Sequence, residues 1–161
     1  MSEIRPTETR QAVGTVHMNS DARGAPLMVR GEQVRTGLGT LAPSMIAYAL
    51  DGRYSRLRTG VRVTSPAERA TFASRQDESS AVDVSVLGDR VPLFQAQTRP
   101  DESDPVACDV DLHGVTELIL LAQPASPDPP SAANAGSPAG PTSGRNRQPA
   151  LVDWLDPRLI R

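Results

Sequence analysis

The sequence predicts an all-β fold, an antiparallel β-sandwich or jelly roll of about eight short strands. Three observations support this prediction. Apolar and polar residues alternate with a period of two along several short segments, as in strands that have one buried and one solvated face. Glycine, proline and other turn-forming residues separate these segments. Apolar residues at helical spacing are nearly absent.

The first strands are predicted around residues 25–29 and at residues 45–50. Residues 54–63 form the clearest strand, because Leu57, Val61 and Val63 fall on one face and three arginines on the other. Residues 81–87 alternate in the same way, and the turn Leu87-Gly88-Asp89-Arg90 predicts a hairpin with residues 91–95.

Two further strands, at residues 106–112 and 117–122, are separated by the turn-forming pair His113-Gly114. This arrangement predicts a second hairpin. The last strand is predicted at residues 151–160, which brings the number of strands to about eight.

The 161 residues are enough for one domain of ordinary size, predicted to comprise residues 13–122 and 150–161. Residues 1–12 are polar without periodicity and are predicted to form a loose tail. Residues 123–149 contain seven of the fifteen prolines and otherwise mainly small or polar residues. Because such a segment buries little apolar surface, we expect a disordered insertion.

Composition excludes several classes of protein. The chain contains seventeen arginines, no lysine and nineteen acidic residues, so its net charge is -2 and nucleic acid is not an expected partner. The longest apolar run, residues 118–122, is far below the roughly 18 residues of a membrane span. A single cysteine, Cys108, excludes an internal disulfide and a multi-cysteine zinc site. The first residues include no apolar secretory signal.

Four segments together resemble the NPCBM family of carbohydrate-binding modules. They are Thr36-Gly37-Leu38-Gly39-Thr40-Leu41-Ala42-Pro43-Ser44, Ile46-Ala47-Tyr48-Ala49-Leu50, Val110-Asp111-Leu112-His113-Gly114-Val115 and Asp153-Trp154-Leu155-Asp156-Pro157-Arg158-Leu159. The resemblance implies a galactose-binding-like β-sandwich without catalytic activity. It also implies an extracytoplasmic location, attachment to enzymes such as glycoside hydrolases, and a glycan partner.

The chain departs from the family pattern where ligands bind. Family members usually carry a histidine at the position of Leu41 and an acidic-histidine pair at Ala150-Leu151. Altered or weakened galactoside binding is therefore expected. The first alternative is a protein-interaction or structural module that has lost sugar binding, with a protein as its partner. A second alternative treats residues 151–160 as a tethered peptide that docks on another protein.

The candidate carbohydrate-binding residues are Thr40, Asp153, Trp154, Asp156 and Arg158. Sugar recognition commonly combines an aromatic ring with polar groups that replace water at the hydroxyls. Trp154 is the strongest ring candidate, although a tryptophan in the last strand of a sandwich can equally be a structural anchor. Arg158 can donate to hydroxyls or form an ion pair with a neighbouring aspartate.

Catalysis is not expected. Asp109 and Asp111 would lie about 7 Å apart on one strand face, within reach of the carboxylate spacing of a retaining glycosidase, but a solvated strand face is the favoured explanation. The acidic segment 101–105 could bind calcium, and a plain turn is favoured. We therefore expect no cofactor and no metal site. The Gly37-Leu38-Gly39 segment predicts a tight bend and lacks the context of a phosphate loop.

Overall fold

A computed structural model describes residues 4–11, 14–64, 81–100, 104–125 and 150–161. The all-β prediction is confirmed, since these residues form strands and no helix. No helix in this part of the chain is long and apolar enough to cross a membrane. The described residues contain twelve strands rather than about eight: β1 (Glu8–Gln11), β2 (His17–Met18), β3 (Leu27–Val29), β4 (Glu32–Val34), β5 (Gly37–Leu41), β6 (Ser44–Ala49), β7 (Arg56–Thr64), β8 (Val82–Gly88), β9 (Val91–Thr98), β10 (Val106–Asp111), β11 (Glu117–Pro124) and β12 (Leu151–Ile160).

Ten of the strands form two antiparallel five-stranded sheets. Sheet 1 has the order β1-β6-β11-β8-β9, and sheet 2 has the order β10-β7-β12-β5-β2. The remaining strands, β3 and β4, form a small separate hairpin. Sheets 1 and 2 share one hydrophobic core, to which Trp154 and Tyr48 contribute the largest fully buried side chains. The alternation seen in the sequence thus corresponds to the two faces of each sheet.

The hairpin predicted after residue 87 is confirmed. Strands β8 and β9 pair directly, and the two turn residues between them, Asp89 and Arg90, have φ values of 48° and 69°. Left-handed backbone at both central positions is the conformation of a type I′ hairpin turn. This turn matches the twist of the two strands.

The second predicted hairpin is wrong. β10 pairs with β7 in sheet 2, whereas β11 pairs with β6 and β8 in sheet 1. The turn at His113-Gly114 therefore carries the chain from one sheet to the other. Both strands alternate with a period of two whether they pair with each other or lie in opposite layers, so the pattern did not distinguish the two arrangements.

Three further expectations change at the ends of the chain. Part of the predicted loose tail is a strand, because β1 pairs with the edge of β6 and Thr7 N donates to Ala47 O at 2.8 Å. The predicted insertion begins too early, because Gln123 and Pro124 are still paired with β8. The rest of that prediction, residues 126–149, lies outside the described residues. The tethered-peptide alternative is wrong, because β12 is hydrogen-bonded between β5 and β7.

The glycines of β5 serve a different purpose from the predicted bend. Gly37 and Gly39 lie within a straight strand, and neither has a positive φ. A Cβ atom on Gly39 would lie 2.3 Å from the backbone carbon of Asp21, and one on Gly37 would lie 2.4 Å from Leu27 Cδ1. The absence of a side chain therefore lets the segment that contains Asp21 and β3 cover the outer face of sheet 2.

Candidate functional site

An irregularity in β12 shapes the candidate site. The register of β12 against β7 shifts between Leu155 and Arg158, which marks a β-bulge. Asp156 has a φ of 45°, a left-handed conformation that aspartate tolerates better than most residues. The next residue, Pro157, has no N–H to donate to a neighbouring strand. The sequence therefore favours a bulge here, and the bulge changes the direction in which Asp156 and Arg158 point.

A pocket of ≈ 130 Å³ lies beside this bulge. One side is formed by β12, through Asp156, Pro157 and Arg158. The other side is formed by β2, β5 and the residues next to them, namely Met18, Asn19, Thr36, Gly37 and Leu38. The pocket thus joins segments that are far apart in sequence. No aromatic residue of the described ranges lines it.

Asp156 is the electrostatic centre of the pocket. Its Oδ1 atom accepts a hydrogen bond from Thr36 Oγ1 at 2.9 Å, and its Oδ2 atom lies 2.6 Å from Arg158 Nη2. The backbone N–H of Asp156 also donates to Thr36 O at 2.9 Å. The hydrogen bond from Arg158 is the main cause that lowers the pKa of Asp156, and the hydroxyl of Thr36 adds to it. The carboxylate therefore stays ionised and fixed in orientation.

This set of groups matches the needs of a polyhydroxylated ligand. The Asp156 carboxylate accepts hydrogen bonds, the Arg158 guanidinium donates them, and the Asn19 amide can do both. Met18 has 46% of its surface exposed and supplies an apolar patch beside these polar groups. Small-molecule sites commonly combine apolar surface with a few convergent polar groups.

A model of the NPCBM/NEW2 domain family matches residues 1–131, most of the chain. The chain belongs to this family. No curated protein matches it.

Solved structures resemble this NPCBM domain over nearly its whole length. The CBM51 of Clostridium perfringens GH95 in complex with methyl-galactose has a TM-score of 0.69 and 18% identity, covering 99% of this chain and 97% of that one. The CBM51-2 and INT domains of Clostridium perfringens ZmpB have a TM-score of 0.71 and 19% identity, and this chain spans 30% of their length. The tandem CBM51 modules of Sp3GH98, a family 98 glycoside hydrolase of Streptococcus pneumoniae, have a TM-score of 0.63 and 14% identity, covering 96% and 46%. At these identities the likeness shows the shared fold.

Two of the predicted ligand residues of the NPCBM domain lie in its core. Trp154 is 1% exposed and packs between the sheets, which agrees with the structural-anchor alternative. Thr40 is fully buried, where its hydroxyl donates to Val152 O at 3.2 Å and accepts from Ser44 Oγ at 3.2 Å. Neither side chain reaches the pocket in this structure.

Asp153 lies on the outer face of sheet 2, away from the core. It is nevertheless only 5% exposed, because it is the cross-strand partner of Gly39, which the Asp21 segment covers. Its Oδ2 atom accepts a hydrogen bond from Thr64 Oγ1 at 3.3 Å. Of the five predicted residues, the structure therefore brings only Asp156 and Arg158 together at the pocket.

The two positions where the family usually carries histidine are direct neighbours. Leu41 of β5 and Leu151 of β12 are cross-strand partners, and Leu151 is 3% exposed. Side chains at such positions are about 5 Å apart at Cβ. In this NPCBM domain an apolar contact thus replaces a pair of groups that could form hydrogen bonds.

The carboxylates considered for catalysis are both held by neighbouring side chains. Asp109 binds Arg56 and Arg58, and Asp111 lies 2.6 Å from His113 Nδ1. The main cause that lowers the pKa of Asp109 is the hydrogen bond from Arg56. Proteins of this carbohydrate-binding family are generally non-catalytic. These pairs explain the two carboxylates without a catalytic role.

The thiol of Cys108 is buried in the core, and burial raises its pKa to about 11, which disfavours the nucleophilic thiolate. Within the described ranges, no group of three His, Cys, Asp or Glu residues could hold a metal ion. Residues 101–103 of the proposed calcium segment lie outside the described residues, and Asp104 accepts a hydrogen bond from Arg30 Nε at 2.7 Å.

Sequence reasoning missed half of the pocket. Met18 and Asn19 precede β5, and their contact with β12 depends on long-range pairing that no local pattern predicts. Thr36 could have been singled out from the sequence, because it is the first residue of the glycine-containing segment that resembles the family. Its role became visible only when the fold placed it against Asp156.

Proposed function

We propose that this NPCBM domain is a non-catalytic module that binds a glycan in the pocket beside the β12 bulge, with specificity altered from that of galactose-binding relatives. The observation that carries the proposal is the convergence of Thr36, Asp156 and Arg158 on one pocket. One solved structure of the same fold holds methyl-galactose and another holds GlcNAc. Modules of this kind are typically extracellular, where glycans are exposed.

The proposed binding is weak. Among the described residues, none that lines the pocket is an aromatic ring against which a pyranose could stack. Its polar groups must give up water before they bind hydroxyls, so the net free energy of binding is small. We expect dissociation constants near the millimolar range, which correspond to about -4 kcal/mol.

Titration of the ¹⁵N-labelled chain with methyl galactoside and with GlcNAc tests the proposal. We expect the amide signals of Asn19, Thr36 and Arg158 to shift together. Asp156→Asn should weaken binding about tenfold, since hydrogen bonds to charged groups contribute roughly 1.5–3 kcal/mol. Asparagine also tolerates a left-handed backbone, so the bulge is preserved.

Asp51→Asn is a matched control. Asp51 also has a positive φ, 52°, and also pairs with an arginine two residues later, Arg53 at 2.7 Å, but it does not line the pocket. This control should bind like the wild type. Saturating sugar that leaves the pocket amides unshifted, or an equal loss in both variants, would rule out the proposed site.

A second candidate function is protein interaction, as in the alternative derived from the sequence. The outer face of sheet 1 carries half-buried apolar side chains on three adjacent strands: Met45 on β6, Ile119 and Leu121 on β11, and Leu87 on β8. A partly exposed apolar patch that extends over three strands favours an interaction surface. Pull-down with the wild type and with Ile119→Ser tests it. A protein that binds this patch would be retained by the wild type but not by the variant, and free sugar would not release it.

A further inference from the structure

Two arginines stand opposite each other next to the pocket. Arg58 of β7 and Arg158 of β12 are cross-strand partners just beyond the bulge. Opposite side chains in such a ladder are about 5 Å apart at Cβ. Like charges in this position repel each other, so their pairing needs a compensating feature.

An aspartate on each outer side provides that compensation. Asp109 of β10 is the cross-strand partner of Arg58 and accepts a hydrogen bond from Arg58 Nε at 3.1 Å. Asp156 binds Arg158 Nη2 at 2.6 Å on the side of β5. Each of the two guanidinium groups is thus paired with a different aspartate.

Both guanidinium groups keep donors for a ligand. Their hydrogen bonds to the described residues involve only Nε of Arg58 and Nη2 of Arg158, whereas each group has five N–H donors. Their side chains are 56% and 71% exposed. Arg56 also binds Asp109, and its own cross-strand partner is Asp111, so the three arginines and three aspartates balance in formal charge. What the pair offers a ligand is therefore its unused donors. Two adjacent guanidinium forks are suited to an oxyanion.

We propose that the ligand of this pocket is an acidic sugar, whose carboxylate or sulfate lies between Arg58 and Arg158 while its hydroxyls face Thr36 and Asp156. This inference rests on the proposed glycan-binding function and names the chemical class of its ligand. Arg158 belongs both to the pocket and to the arginine pair, so one monosaccharide can reach both.

The test compares methyl galactoside with methyl galacturonide. The two sugars differ only at position 6, which is a hydroxymethyl group in the first and a carboxylate in the second. We expect galacturonide to bind about tenfold more tightly at low ionic strength. The preference should shrink as salt is added, because the arginines are exposed. Galactose 6-sulfate, titrated in parallel, shows whether carboxylate or sulfate is the preferred oxyanion.

Arg58→Gln should abolish the preference for the acidic sugars. Arg56→Gln is the matched control, because it removes the same charge from the same strand and the same aspartate, but Arg56 faces Ile160 instead of an arginine. The control should keep the preference. Backbone amide spectra verify that both variants remain folded.

The possible failures are distinguishable. Equal affinities for galactoside and both acidic sugars would overturn the acidic-sugar inference and leave the proposed glycan binding intact. An equal loss of preference in the two arginine variants would also overturn it, because a general positive field would then explain the result. No binding of any of the three sugars would overturn the proposed function itself.

Discussion

At the scale of single residues, the buried hydroxyl of Tyr48 is an unusual feature. The side chain is 0% exposed, and its oxygen has no hydrogen-bond partner among the described residues. Burial raises the pKa of Tyr48 to about 12, so the phenol stays neutral. A buried polar group without a partner loses its hydration and gains nothing in return. The hydroxyl of Tyr48 therefore lowers the stability of the core.

Tyr48→Phe is expected to raise the free energy of unfolding by about 1 kcal/mol, because it removes the hydroxyl that has no hydrogen-bond partner and keeps the ring contacts. Urea denaturation measures this as a higher midpoint at an unchanged slope. The control is Tyr54→Phe, because the Tyr54 ring is also mostly buried, at 6% exposed, but its hydroxyl is not among the buried polar atoms without a partner. Its effect should stay within about 0.5 kcal/mol. A clear loss of stability in Tyr48→Phe would show that the hydroxyl has a partner.

At the scale of elements, β5 depends on its glycines. The segment that contains Asp21 crosses directly over Gly39, and Asp21 Oδ1 accepts hydrogen bonds from Arg23 N at 2.9 Å and Ala25 N at 2.8 Å. This local network gives the segment a fixed shape. A side chain at Gly39 would have to displace this whole segment, since the nearest atoms belong to its backbone.

Gly39→Ala is accordingly expected to cost about 3 kcal/mol of stability, in the range of overpacking at a site that cannot relax. Gly60→Ala provides the comparison, because the added Cβ would lie 3.1 Å from a side-chain atom, Pro105 Cβ, and no backbone atom lies closer. Its cost should be about 1 kcal/mol or less. Thermal unfolding of the two variants measures the difference, and equal melting temperatures would contradict the close approach described for β5.

At the scale of the whole molecule, ionised aspartates join separate parts of the sandwich. Asp89 in the β8–β9 turn accepts hydrogen bonds from Thr116 N, Thr116 Oγ1 and Glu117 N, which tie the turn to the start of β11. The hydrogen bond from the Thr116 hydroxyl is the main cause that lowers the pKa of Asp89. The pKa values of Asp109, Asp111 and Asp156 are lowered as well.

Stability should therefore fall in acid. A carboxyl group whose pKa is lower in the folded state stabilises the protein above its ordinary pKa of 3.8, and this contribution disappears as the pH falls through the lowered value. Asp89→Asn keeps a residue that tolerates the φ of 48°. The variant should be less stable at pH 7, and its urea midpoint should approach that of the wild type as the pH falls through the lowered pKa of Asp89. Parallel curves over the whole range would refute this role of Asp89.

The sequence predicted the layered all-β architecture well. A strand with one buried face has apolar and polar residues in alternation, and β7 and β8 show this pattern clearly. It did not predict which strands pair. β10 and β11 alternate alike in either arrangement, and β1 is stabilised by backbone hydrogen bonds that leave no apolar pattern. For the site, local sequence identified Asp156 and Arg158 but not their partners Thr36 and Arg58, which long-range registers bring close.

The position of β12 has a consequence for how the protein is made. Both of its neighbours, β5 and β7, lie before residue 65, yet the strand between them ends at Ile160. Sheet 2 therefore cannot be completed until the ribosome has translated β12. Until β12 has been made, the nascent polypeptide exposes the apolar surface that Trp154 later covers, and chaperones can bind it in that state.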